Sequence, residues 1–509
     1  MRTLSVLVFV LTTPMVGSAV PRFDDVTKVS GIKVGNRAHA VAVEDFNGDR
    51  HLDFIVACFD APQVQLFLGD GKLHFSDRTK NCGLESFAGA GTGMAVGDYD
   101  RDGKLDVYIA SLRAGASRLF RGLGGGKFAD VSQKTGTLVE SACRSCSFSD
   151  VDGDGWLDLY VTAPHGPNHL FSNKRNGTFT DIAATAGLAM SDRENLGCAF
   201  GDIDGDGRDD LFITSYDSQV SGLFMNLGSG KFREAAGPAG LARKASSVGC
   251  TFGDVFNRGR LDLYVSTDSW MSGENATEKQ LLMRGRTVEP NLLYLHAGGG
   301  KFRPSGGGPS TYKSLSHDIV LEDLDHDGRV EIYVGVDAKS GNRFATNKGG
   351  NPLWTRTDGK TFVEASTDWG VKHEANCVCV PAADFDGDGD LDLLLINYYS
   401  NAVLLRNNTN DTRWLKVKPI GRQSNPDGIG AVVRLFALVG GKAVLVGTRQ
   451  VQSGAGYCRA SPLVAHFGLG AKPAAAYRAE VFFPASKRTA RVEDVQAGRR
   501  VEVVEPKTP

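Results

Sequence analysis

Short apolar runs alternate with brief polar stretches rich in Gly, Asp and Asn along most of this chain, the pattern of strands and tight turns. The alternation keeps one order. An apolar strand such as Cys198-Ala199-Phe200-Gly201 leads into an acidic loop, and a strongly apolar strand follows, as in Leu157-Asp158-Leu159-Tyr160-Val161. A third strand ends in an apolar pair (Leu66-Phe67, Leu119-Phe120, Leu170-Phe171, Leu223-Phe224). After a Gly-rich turn comes a fourth of the form F-x-D-V, as in Phe128-Ala129-Asp130-Val131. No helical period separates these parts.

The unit recurs. Its acidic loop, D-x-D-x-D-G-x-L-D, starts at Asp45, Asp98, Asp150, Asp202, Asp254, Asp323 and Asp384, at spacings of 53, 52, 52, 52, 69 and 61 residues. A four-stranded unit repeated seven times predicts a β-propeller. The F-x-D-V strand occurs once before the first loop, at Phe23, and again at Phe75, Phe128, Phe179, Phe232, Phe302 and Phe362, but not after the seventh loop. The N-terminal strand is therefore expected to complete the last blade, closing the ring and hiding its edges. The expected fold is all-β: a seven-bladed β-propeller over residues 20–410, then a small β domain over residues 411–505.

Composition sets the context. The chain has 509 residues, 63 of them Gly, and an apolar share of 41%, enough for real cores in two or three domains. Its net charge of −2, without a basic stripe, predicts no nucleic-acid partner. Residues 1–19 read as a signal peptide, with Arg2, an apolar stretch at 4–11 and small residues at Gly17-Ser18-Ala19. That stretch is too short to span a bilayer, and no later segment is long enough. The expectation is a protein without a transmembrane segment, secreted or periplasmic. Of nine cysteines, Cys146, Cys198 and Cys250 share one repeated position with Val41, Met94, Ile319 and Val380, so they read as core residues. Cys143/Cys146 and Cys377/Cys379 are candidates for local bridges, although residues on one strand are awkwardly placed for that.

The acidic loops carry the chemistry. Carboxylates at positions 1, 3, 5 and 9 of a tight loop turn inward together, and the carbonyl at position 7 adds an oxygen. Six to eight oxygens in flexible geometry suit calcium rather than zinc. The expected ligands are Asp98, Asp100, Asp102 and Asp106; Asp150, Asp152, Asp154 and Asp158; Asp202, Asp204, Asp206 and Asp210; and Asp384, Asp386, Asp388 and Asp392. Two sets vary: Asp323, Asp325, Asp327 and Glu331 end in a longer carboxylate, and Asp45, Asn47, Asp49 and Asp53 carry Arg50 in place of the turn Gly. In the loop at Asp254, Phe256 and Arg258 replace two carboxylates, so no calcium is expected there and Arg258 is a candidate built-in cation. About six Ca2+ ions are expected, as structural staples of the loops.

These repeats resemble the FG-GAP or VCBS repeats of integrin α-chain propellers, with the "FG" pair at Phe200-Gly201-Asp202 and Phe252-Gly253-Asp254. The C-terminal segment is similar to the ASPIC/UnbV domain through Trp414-Leu415-Lys416-Val417, Ser424-Asn425-Pro426-Asp427-Gly428-Ile429-Gly430-Ala431, Gly456-Tyr457 and His466-Phe467-Gly468-Leu469-Gly470. The resemblance implies calcium in the hairpin loops, ligands taken by loops of the opposite face, and an extracellular, interaction-related role.

No zinc-protease, nucleophile-elbow or phosphate-loop motif occurs. His466 reads as a turn or core histidine, and His165 and His169 lie in a Pro/Gly loop unsuited to a helical metal pair. Tyr398-Tyr399 is either a sugar-stacking platform or blade packing. The expected function is an extracellular module binding a protein or a polysaccharide, with residues 270–291 and 337–354 as its recognition surface. The alternative is a calcium-dependent enzyme acting in the propeller funnel, which a cluster of His, Asp and Arg with shifted pKa values at the channel mouth would favour.

Overall fold

The computed structural model describes residues 23–268, 289–337, 350–454 and 456–507. Residues 1–19, read from the sequence as a signal peptide, and most of residues 270–291 and 337–354 lie outside the described residues.

Each acidic loop joins the innermost strand of a sheet to the next one out, as Ala38–Glu44 to Asp53–Cys58 and Asn195–Gly201 to Asp210–Ser215. Seven antiparallel sheets of this kind follow one another, built on four strands each. Their innermost strands pack one on the next, and the last, Cys377–Cys379, packs on the first, Ala38–Glu44. The ring is therefore closed. Phe23–Asp25 supplies the outer strand of the last sheet by pairing with Val403–Asn407, as its sequence predicted.

Packing explains the residue choice near the axis. Innermost strands such as Gly91–Gly97 and Asn195–Gly201 are buried along their whole length. Five residues before each loop, the neighbouring blade comes closest. A Cβ on Gly197 would lie 2.5 Å from the Val248 oxygen, and one on Gly249 2.3 Å from the His317 oxygen. Ala40, Gly93, Ser145, Gly197 and Gly249 fill that position in five blades; Asp318 and Cys379 fill it in the last two.

One feature departs from the sequence reading. Single helical turns, Thr27–Ser30, Ser132–Thr135, Ala183–Ala186 and Ala236–Ala239, follow four of the F-x-D-V strands, each ended by a left-handed Gly. One turn is too short to display a helical period.

The C-terminal domain has two sheets. In one, Trp414–Ile420 lies between Ala465–Gly468 and Arg499–Val504. The other runs in the order Lys442–Gln450, Val432–Val439, Tyr477–Phe483, Arg488–Val495. Tyr477–Phe483 alternates buried and half-buried residues, as a strand with one face on a core must. Leu415, Val433, Phe467 and Val481 lie in that core.

This domain sits on the acidic-loop face of the ring. Asp427 accepts the Asp98 N–H at 2.7 Å, Gln450 that of Asp202 at 3.0 Å, and the His326 carbonyl that of Gly470 at 3.0 Å. Beyond Gln450 the chain enters the axis itself. There Arg459–Ala460 pairs in parallel with Ala38–Glu44, adding a strand to the first blade. Gly456 has φ of +77°, and a Cβ on it would lie 2.4 Å from Asp318 Oδ1, so only glycine passes here.

Candidate functional site

The loops fold around their own carboxylates. In the third, Asp150 accepts N–H bonds from Gly153, Asp154 and Gly155 at 2.8–2.9 Å. Asp158, at the far end, accepts from Val151 at 3.0 Å and Asn173 at 2.8 Å. These bonds bring oxygens of Asp150, Asp152 and Asp158 within 4.8 Å of one another, as they do Asp98, Asp100 and Asp106, and Asp323, Asp325 and Glu331. In the fourth loop Asp202, Asp204 and Asp206 converge, while Asp210 accepts from Ile203 and Asn226. Arginines hold several position-5 carboxylates: Arg121 on Asp102 at 2.7 Å, Arg175 on Asp154 at 2.5 Å, and Arg329 on Asp327 at 2.6 Å.

Three loops differ. In the first, Asn47 accepts from and donates to Asp49, Asp45 accepts the Arg50 N–H, Asp53 closes the loop, and Arg50 takes the turn at φ +75°. In the seventh, Arg406 pairs with Asp386 at 2.9 Å and Asp388 at 3.2 Å, Lys416 of the C-terminal domain pairs with Asp384, and Asp392 accepts from Phe385 and Asn407. In the fifth, where Phe256 and Arg258 replace two carboxylates, the Arg258 guanidinium lies 2.5 Å from Asp262.

Burial, with nearby carboxylates adding, makes bare charge costly here. It pushes Asp98 and Asp202 up to about 6, Asp53, Asp150 and Asp325 to about 7, and Asp210 to about 8. Burial, first of all, also raises Asp106, Asp158, Asp323, Glu331 and Asp392 well above the usual carboxylate value. Asp100 Oδ1 and Asp323 Oδ1 are buried without a hydrogen-bond partner. Oxygen-only donors and orphaned carboxylate atoms fit a hard cation such as calcium.

The opposite end of the channel holds a cavity of about 440 Å³. Its lining comes from the starts of innermost strands and the ends of their neighbours, far from the acidic loops. Tyr457, carried in by the C-terminal domain, forms its floor, with the Arg144 guanidinium 4.9 Å from the ring and the His39 and His317 rings 5.2 and 6.1 Å away. Burial and Arg144 hold both imidazoles neutral, His317 down to about 4 and His39 well below its usual value. Arg37 stands over Phe59 and Tyr398 and donates to the Tyr398 hydroxyl at 2.6 Å. Tyr399 packs edge-on against Tyr398 and is 60% exposed. The tyrosine pair thus lines the funnel mouth. His466 is buried, with Nε2 3.2 Å from the Gly389 oxygen, and His169 pairs with Asp181. Sequence reasoning missed His39, His317 and Arg144, which share no motif.

Among known proteins, the FG-GAP-like repeat family matches residues 45–109, 99–161, 150–213 and 202–265, and the "ASPIC and UnbV" family matches residues 421–509. Cartilage acidic protein 1 of Homo sapiens is 25% identical over 512 residues, covering 92% of this chain and 71% of that protein. The Mus musculus protein is 25% identical over 79% of this chain, which spans 53% of the mouse protein, about half its length. The Xenopus tropicalis protein is 24% identical over 88% of this chain and 70% of its own length. A solved structure, "YCF48 bound to D1 peptide", covers 78% of this chain and 99% of its own at 10% identity, with a TM-score of 0.43. No described helix is long and apolar enough to cross a membrane. The chain is thus an all-β protein carrying FG-GAP repeats and an ASPIC/UnbV domain, homologous over most of its length to cartilage acidic protein 1.

Proposed function

We propose that this chain is an exported calcium-binding interaction protein that takes an extracellular protein or polysaccharide at the funnel mouth, with about six calcium ions stapling the acidic loops. The observation that carries the reading is the division of the ring into two faces. The acidic-loop face is covered by the C-terminal domain, whereas the other opens on an aromatic cavity edged by Tyr398, Tyr399 and Arg37. A planar, partly polar wall of this kind suits sugar rings and amphipathic side chains. Calcium, when bound, neutralises the clustered carboxylates and holds each loop in shape; Asp98, Asp150, Asp202 and Asp323 head four of the sets that would hold it. The test is capture of the mature protein on arrays of acidic and neutral glycans and of extracellular-matrix proteins. Binding removed by Tyr399→Ala supports the reading, and binding indifferent to both Tyr399→Ala and Arg37→Ala refutes it.

A second reading has one observation in its favour. His39 and His317 are neutral, and each has a buried Nδ1 without a partner at the cavity. Neutral imidazoles are the form that accepts a proton in general base catalysis. Under that reading His39→Gln and His317→Gln abolish turnover of a captured ligand while leaving its capture intact.

A further inference from the structure

The threaded segment meets the ring at the two blades that break the small-residue rule. Five residues before the acidic loop, the sixth blade has Asp318 and the seventh Cys379, and successive residues of the segment face them. Arg459 lies 3.1 Å from Asp318, with both side chains buried. Cys458 meets Cys379: their Sγ atoms and an Asp318 oxygen lie within 4.8 Å of one another. Cys458 Sγ also stands 3.1 Å from the carbonyl oxygen of Val378. All nine cysteines are free thiols in this structure, and Cys377 Sγ turns toward the Cys379 carbonyl at 3.8 Å.

We propose that Cys379 and Cys458 form a disulfide that locks the C-terminal domain's threaded segment into the last blade of the ring. A metal is the poorer occupant, because the third potential ligand, Asp318, is already neutralised by Arg459 and accepts the Val380 N–H at 2.9 Å. The bond forms by thiol–disulfide exchange with a small-molecule or protein disulfide. One thiolate attacks the external disulfide and releases a thiol. The second thiolate then attacks the mixed disulfide and releases the other thiol. Two electrons pass to the oxidant and two protons are lost from the cysteines. Both sulfurs are buried in the docked form, so exchange precedes docking, and the completed bond is shielded from reductant.

The bond rests on the proposed export only for its natural oxidant, so the test supplies one. The mature protein is refolded in oxidised and reduced glutathione with calcium, then denatured and alkylated. Seven alkylated cysteines, nine after reduction, and a cross-linked peptide joining 379 to 458 are expected. Cys458→Ser should alkylate at all eight remaining positions, while Cys377→Ser should keep the cross-link. By loop-closure entropy, reduction should lower the melting temperature by about 4 °C in the wild type and not in Cys458→Ser. Nine alkylated cysteines under oxidising refolding, or one zinc ion per chain lost in Cys458→Ser, would overturn the proposal. A cross-link formed in glutathione but missing from protein recovered from its host would instead count against export.

Discussion

Arg459 of the threaded segment and Asp318 of the sixth blade form an ion pair at 3.1 Å, with Asp318 fully buried and Arg459 nearly so. Arg459 also donates to the Ile319 carbonyl at 2.6 Å, and Asp318 accepts from Val380 at 2.9 Å. Burial raises the Asp318 carboxyl, and Arg459 opposes that rise. Such a pair positions a segment more than it stabilises one, but removing one partner strands the other. Arg459→Met should cost about 3–5 kcal/mol in urea unfolding and expose residues 451–464 to protease. A loss under about 1 kcal/mol, with unchanged digestion, would mean that the segment is held by its backbone pairing alone.

The acidic loops predict a count. Native mass spectrometry of the mature protein in millimolar calcium should show six ions, and Asp150→Ala should show five. Asp254→Ala should still show six, because Arg258 already fills that loop. Excess EGTA should lower the melting temperature by several degrees, since ions bound only to the folded state stabilise it by mass action. Melting unchanged by EGTA would dismiss the staple role.

Much of this was legible in the sequence for a simple reason. Repetition multiplies a weak signal, so seven copies of one loop marked the blades and their strand order, and the F-x-D-V strand missing after the seventh pointed to closure by Phe23. The substitution at Arg258 was readable because its neighbours showed what belonged there. The docking of the C-terminal domain was not legible. Asp427, Gln450 and Lys416 carry no pattern that points at a partner hundreds of residues away, and Tyr457, although part of the C-terminal family signature, gives no sign in sequence that it meets His39 and His317. The funnel residues come from separate blades, each contributing one side chain, so no local spacing connects them.

The buried imidazoles predict an acid limit. His317 is held down to about 4 by burial first and by Arg144 second, whereas in the unfolded chain it titrates near 6.5. A depressed histidine binds fewer protons folded than unfolded between those values. Stability is therefore unaffected above pH 6.5 and falls as pH drops from 6.5 toward 4, by on the order of 3 kcal/mol at full loss. His317→Asn should be the less acid-sensitive protein in melting curves between pH 7 and 4.5 at fixed calcium. Carboxylate titration is common to both chains and cancels in the comparison. Parallel curves would place the acid sensitivity elsewhere.

The seventh loop should be the weakest calcium site. Its Asp384 carboxylate is already engaged by Lys416, whose ammonium lies 5.0 Å from the Trp414 ring and is nearly buried. Arg406 occupies Asp386 and Asp388 as well, so two cations attend this one loop. An entering divalent ion must compete with Lys416 for Asp384 or stand beside it, and like charges in a half-buried setting are screened poorly by salt. Lys416→Met keeps the apolar stem and removes the charge. In a calcium titration followed by calorimetry, the wild type should show one site weaker than the rest, and Lys416→Met should strengthen that site at least tenfold. The same change removes an interdomain ion pair, so without calcium the variant should melt lower than the wild type, and with saturating calcium the gap should narrow. A variant with unchanged affinity would show that the ion is bound by Asp386, Asp388 and Asp392 without Asp384, and that Lys416 serves only to hold the domain on the ring.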